Sequence, residues 1–163
     1  ALKSRVRDNI TLLEAKKADA QASADVAGVL ASAREANELW NSIYPGLKKE
    51  IGYMASDNVE VTIATARNAS AIASGKISYM EALGKDTSAF GKALASYNAH
   101  VDSAAGHVAN ARSEFGAIGT AKPDGHYVAG FRQIKEGENE LKYAYRDMKT
   151  IYRLVYGNSV KDS

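Results

Sequence analysis

The sequence predicts an all-α fold, an elongated antiparallel four-helix bundle running up-down-up-down. Three observations predict it. Apolar residues recur at three- and four-residue spacings through four long segments. The chain of 163 residues holds only 2 prolines, and alanine is abundant. Proline costs about 3 kcal/mol inside a helix and alanine is the best helix former. The breaks between segments are short and carry glycine or proline, which favours antiparallel neighbours.

The first helix is expected from about Leu2 to Ile43, with Val26, Leu30, Ala33 and Trp40 on one face and Leu2, Val6 and Leu13 starting an earlier stripe. Tyr44-Pro45-Gly46 is read as its end, because proline removes a backbone donor and restricts the residue before it. The second helix is expected over 47–74, with Leu47, Ile51, Met54, Val61 and Ile72 as its apolar face. Within it, Val59, Val61 and Ile63 alternate as a strand would, but no second strand is evident to pair with them, so helix is preferred.

Gly75-Lys76 is read as the next break, followed by a short segment from Ile77 to Leu83. Asp86-Thr87-Ser88 supplies an N-cap for the third helix, which carries Phe90, Leu94, Tyr97, Val101, Ala104, Val108, Ala111 and Phe115. A second proline turn lies within 116–125. The fourth helix has the cleanest stripe: Tyr127, Phe131, Ile134, Leu141, Tyr145, Met148, Tyr152 and Val155, with Glu138 as its one charged member and Gly157-Asn158 as its stop. Residues 1–163 then form a single domain of two hairpins, 1–75 and 76–157, with a tail over 158–163. Both termini would emerge at one end. Lys3, Arg5, Arg7, Lys76, Lys85, Lys149, Arg153 and Lys161 would gather there as a basic pole.

A near-repeat bears on this architecture. AGVLASAR at 27–34 and AGHVANAR at 105–112 agree at five of eight positions, 78 residues apart. At the same offset Pro45 meets Pro123, Gly52 meets Gly130, Glu60 meets Glu138 and Arg34 meets Arg112. A duplicated hairpin explains this. So does the general likeness of alanine-rich amphipathic helices, and the two explanations stand level.

Chemistry is easier to exclude than to assign. There is no cysteine, which removes disulfides and thiolate sites. No Glu-x-x-His pair, phosphate-cradling glycine loop or nucleophile elbow occurs. Of 3 histidines, His100 and His107 share a face two turns apart. That is about 10 Å, too far to bind one metal together, and a structural or surface role is expected for all three. No catalytic residue, metal site or cofactor is therefore expected, and no residue names a small-molecule ligand.

One charge pattern stands out. Lys135, Lys142, Arg146, Lys149 and Arg153 recur on the fourth helix at steps of seven, four, three and four. At 100° per residue they fall within about 60° of one another, a straight basic ridge. The formal net charge is only +2. The plainer reading is that these heads pair with acids on adjacent helices. The sharper one is a track for a polyanion, an anionic surface or an acidic subunit.

The architecture resembles that of four-helix sensor domains of bacterial and archaeal receptors, an analogy of fold without a shared motif. It implies a non-enzymatic binding or interaction domain, extracytoplasmic or at the cell surface, with a protein partner or self-association. The alternative is a self-assembling subunit of a filament, surface layer or virion.

Overall fold

The computed structural model describes residues 2–119 and 123–156. Its four helices are α1 (Leu2–Ala22), α2 (Val26–Ala82), α3 (Ser88–Gly116) and α4 (Pro123–Tyr156), with no strand among the described residues. The all-α class and the helix count agree with the sequence reading. The stretch around Val59 to Ile63 is helical, with Val59 and Ile63 buried and Val61 turned outward. The tail over 158–163, with Lys161, lies outside the described residues.

The breaks fall elsewhere than expected. The first comes at 23–25. Asp25 is extended there and its Oδ1 accepts from the Gly28 amide at 2.7 Å, which satisfies a donor that the helix start leaves orphaned. Neither expected turn in the next 60 residues forms. Pro45 lies inside α2 and is buried, and Gly75-Lys76 is helical, so α2 runs unbroken for 57 residues. The helix tolerates Pro45 because its flanks are anchored: Tyr44 and Lys48 both donate to Asp124 at the start of α4, and Trp40 packs on Tyr44 with ring centroids 5.3 Å apart. The true stop is Gly84, whose φ of +70 suits a residue without Cβ. The Lys85 amide donates to Met80 O and the Gly84 amide to Glu81 O, a Schellman closure.

α3 starts as expected, though the capping group is Asp86, whose carboxylate accepts from the Ser88 amide at 2.9 Å. That bond holds the Asp86 carboxyl below its usual range. Thr87 instead donates to Glu81, 2.7 Å away.

The helices do not share one core. α1 contacts only α2, antiparallel to its first half, with Arg5 bonded to Glu50 at 3.0 Å and Lys16 to Glu35 at 2.7 Å. The second half of α2 packs with α3 and α4 as a three-helix platform. The molecule is thus a two-helix arm continuing into a three-helix platform along one shared helix. The start of α1 lies level with Glu50, whereas the end of α4 lies beside Ile72 and Lys76, roughly 35 Å further along α2 at 1.5 Å per residue. The expected common end for the termini, and the basic pole built on it, are therefore corrected. So are the hairpin limits at residue 75 and the matched proline turns: Pro45 makes no turn, while Pro123 opens α4.

The platform core is centred on α3, whose eight expected residues are all buried. Phe115 is fully enclosed, and a Cβ added to either Gly52 or Gly130 would overlap its ring. Gly130, Gly137 and Ala144 then recur at steps of seven as a small-residue column on α4, and a Cβ on Gly137 would come within 3.3 Å of the Ala104 carbonyl. The core face of α2 is Gly52, Ser56, Val59, Ile63 and Ile77. That corrects the stripe read from the sequence: Ile51, Met54, Val61 and Ile72 face outward.

Candidate functional site

The three seams of the platform differ in how they close. Between α3 and α4, His100 Nδ1 lies 2.6 Å from Glu140, His107 Nδ1 is 2.8 Å from Gln133, and His126 Nδ1 is 2.8 Å from Glu114. These rungs recur every seven residues on both helices, so one face of each repeats in step every two turns, about 10.5 Å. All three histidines thus tie helices together, the structural one of the two roles expected of them. His100 Nε2 also faces Asp147 Oδ2 at 3.9 Å, and that oxygen is buried without a hydrogen-bond partner among the described residues.

Between α2 and α3, Arg112 bonds Glu60 through Nε at 2.7 Å and also reaches Asp57, which raises its pKa, Glu60 contributing most. Arg67 pairs with Asp102 at 3.3 Å, Ser70 donates to Asn98 Oδ1 at 2.6 Å, and Tyr97 donates to Ala66 O at 2.8 Å.

The seam between α2 and α4 is different. It is tied at its top, where Lys48 meets Asp124 and lies over the rings of Tyr44 and Tyr127. The contact holds the Asp124 carboxyl below its ordinary range, chiefly through Lys48 and then Tyr44. Below it, no hydrogen bond or ion pair joins α2 residues 51–75 to α4 residues 127–155 among the described residues. There the helices leave an open groove, three adjoining pockets of about 450, 230 and 250 Å³. Thr62, Leu141 and Tyr145 are shared by the first two, and Ala69 and Met148 by the last two. The cause is local. Between Val59 at its upper end and Ile72 at its lower end, α2 presents Thr62, Thr65, Ala66, Ala69 and Ala73 here, side chains too short to fill the space. Tyr145 and Tyr152, expected in the core stripe of α4, stand on the groove's other bank at 62% and 63% exposure.

The basic ridge runs beside this bank. Lys135, Lys142, Arg146, Lys149 and Arg153 are all exposed. None lies within ion-pair distance of a carboxylate among the described residues. Lys142 reaches only the Asn139 amide oxygen at 3.3 Å. Lys149 sits over the Tyr145 ring, 4.6 Å from its centroid, and Arg146 over Tyr143 at 5.4 Å. The expected pairing with acids of adjacent helices is not what these five residues do.

No family model matches the chain, and no curated protein or solved structure is significantly similar to it.

The geometry therefore stands on its own terms. An apolar trench with a floor of small side chains accepts a rod-shaped apolar surface. A row of uncommitted cations on aromatic faces accepts negative charge. Among the described residues no cluster of three His, Asp or Glu is placed to hold a metal ion, and no helix is long and apolar enough to cross a membrane. The ridge was legible from its spacing. The groove was missed, although Thr62, Thr65, Ala66, Ala69 and Ala73 recur at helical steps as a visible small-residue face.

Proposed function

We propose that this chain is a non-enzymatic helical interaction domain that binds a protein partner along the groove between α2 and α4. A single observation carries the reading: among the described residues, the one platform seam without side-chain ties along its length adjoins five cations that have no carboxylate partner. The α2–α3 and α3–α4 seams are crossed by side-chain hydrogen bonds along their length. The arm then acts as a spacer, continuous with the platform through α2. A sensor-like or surface protein is the setting this reading favours.

The test is site-specific photocrosslinking in the native cells. A photoreactive residue at Tyr145 or Tyr152 is expected to trap a partner identifiable by mass spectrometry, while one at Ala95 or Ala99 on the outer face of α3 traps none. Equal trapping at both faces, or none at Tyr145 and Tyr152, rejects the groove as the binding face.

A second reading has its own observation. Met54, Val61, Ile72, Tyr79 and Leu83 are exposed along α2, on the face that α1 covers further up the same helix. An uncovered apolar row of this length suits self-assembly into a filament, surface layer or virion. Light scattering separates the two, since a monomer at high concentration argues against assembly through α2.

A further inference from the structure

We propose that the occupant of the α2–α4 groove is an amphipathic helix with an acidic edge, supplied by a different protein. This rests on the reading of the groove as a binding face and adds the chemistry of what binds.

The trench runs along α2 from Asn58 to Lys76, about 27 Å at 1.5 Å per residue, the length of an 18-residue helix. The platform is three helices around α3, and the trench between α2 and α4 is the place a fourth would occupy. The floor of Ala66, Ala69 and Ala73 lets a visiting backbone come close, and Tyr145 and Tyr152 supply tall apolar sides. α1 shows the mode of binding within this chain, since it lies against α2 as an antiparallel helix one stretch upstream.

Charge selects the partner. On the α4 bank, Lys142 lines the trench and Lys149 lies over the ring of Tyr145, which also lines it, while Lys76 lies at its lower end. Among the described residues, Glu138 is the only carboxylate lining it. A helix whose apolar stripe enters the trench would bring one flank alongside this row, and carboxylates on that flank would meet cations that have no carboxylate partner among the described residues. A basic flank would meet repulsion. A second copy of this chain fits poorly. Among its described helices, carboxylates on α2 and α3 are largely engaged, as Glu35, Glu50, Asp57, Glu60, Asp102 and Glu114 are. Glu14, Glu38, Glu136 and Glu138 form no row at helical spacing.

Two synthetic 20-residue helical peptides test this, each with the same leucine stripe, one flanked by glutamate and the other by lysine. Binding is followed by calorimetry, and amide shifts map the site. The glutamate peptide is expected to bind at least tenfold more tightly, with shifts confined to residues 58–76 and 138–155. Lys142→Glu with Lys149→Glu, both exposed, is expected to reverse the order. Ala69→Trp, which fills the floor, is expected to abolish binding of either peptide, with circular dichroism confirming the fold. Equal affinity for the two peptides, or a preference unmoved by the charge reversal, overturns the proposal. Single-stranded DNA displacing the glutamate peptide one-for-one would reassign the ridge to polyanions. A dimer by sedimentation that Ala69→Trp dissociates would assign the trench to a second copy. Failure of both peptides, alongside a partner trapped at Tyr145, would reject the acidic helix and leave the binding face standing.

Discussion

Glycine in this protein changes meaning with position, because the same missing Cβ serves packing at some sites and nothing at others. At Gly52 and Gly130 the space that a Cβ would take is filled by the ring of Phe115, approached from α2 on one side and α4 on the other. At Gly75, Gly91 and Gly106, all helical and exposed, a Cβ would meet nothing within 4 Å. One substitution should therefore act with opposite signs. Gly52→Ala or Gly130→Ala forces Phe115 or a whole helix to shift and is expected to destabilise by about 1–3 kcal/mol. Gly75→Ala, Gly91→Ala or Gly106→Ala removes a poor helix former and is expected to stabilise by about 0.5–1 kcal/mol. Urea unfolding of the five single variants measures both. Tyr97 gives the pH counterpart. Burial pushes its phenol above the ordinary value of 10.0, because the ionised form would lose hydration and its bond to Ala66 O. A raised pKa on an acid means stability that is full below the unfolded value and lost as pH climbs through the folded one. Stability should thus fall from about pH 10 upward, and Tyr97→Phe should flatten part of that decline while losing about 1 kcal/mol at neutral pH with the hydrogen bond.

At the scale of helices, α3 was readable residue by residue because it is surrounded, and its apolar period has one solution. α2 was not, for three physical reasons. Pro45 usually ends a helix, yet here its ring is buried at the meeting of arm and platform and both flanks are anchored on Asp124. The true break at Ser23-Ala24-Asp25 uses a capping side chain that is common in any surface segment. Most misleading was the stripe of Ile51, Met54, Val61 and Ile72, which is apolar but largely exposed, while Gly52, Ser56, Val59, Ile63 and Ile77 make the buried face. Periodicity shows that a face is apolar and not whether this chain covers it. The same limit hid the groove, since a face of alanine and threonine reads as a close-packed seam whether or not a helix lies on it. The arm carries a prediction of its own. No residue of α1 from Lys3 onward, and none of α2 before Pro45, is buried, so few apolar contacts resist its opening. Amides in residues 2–43 are expected to exchange through local opening, at least a hundredfold faster than those of residues 97–111, which should exchange only by global unfolding. Equal protection factors in hydrogen exchange would mean that arm and platform open as one unit.

For the whole molecule, length decides what the fold can do. A 163-residue chain folded compactly would have a radius of gyration of about 15 Å. A helix of 57 residues spans about 85 Å, and a uniform rod of that length has a radius of gyration near 24 Å. Small-angle scattering of the monomer is therefore expected to give about 24 Å, with a maximum dimension near 85–90 Å. The value also tests Pro45, because a helix that folded back there would bring the arm against the platform. The result would be a short four-helix bundle with a radius of gyration below about 20 Å. Such a bundle would place α1 and the first part of α2 over the outward stripe or into the α2–α4 groove, closing with this chain's own residues the surface on which the functional reading rests. An extended rod keeps that surface open and sets it to one side of the mid-molecule junction. A partner bound there would lie wholly on the platform, and the arm would be free to hold it at a fixed distance from whatever the other end meets. Scattering from Pro45→Ala separates the two contributions to straightness. If anchoring by Tyr44 and Lys48 sets the line of α2, the substitution leaves the radius unchanged within about 1 Å while restoring the hydrogen bond that proline removes. If proline bends the junction, the radius rises.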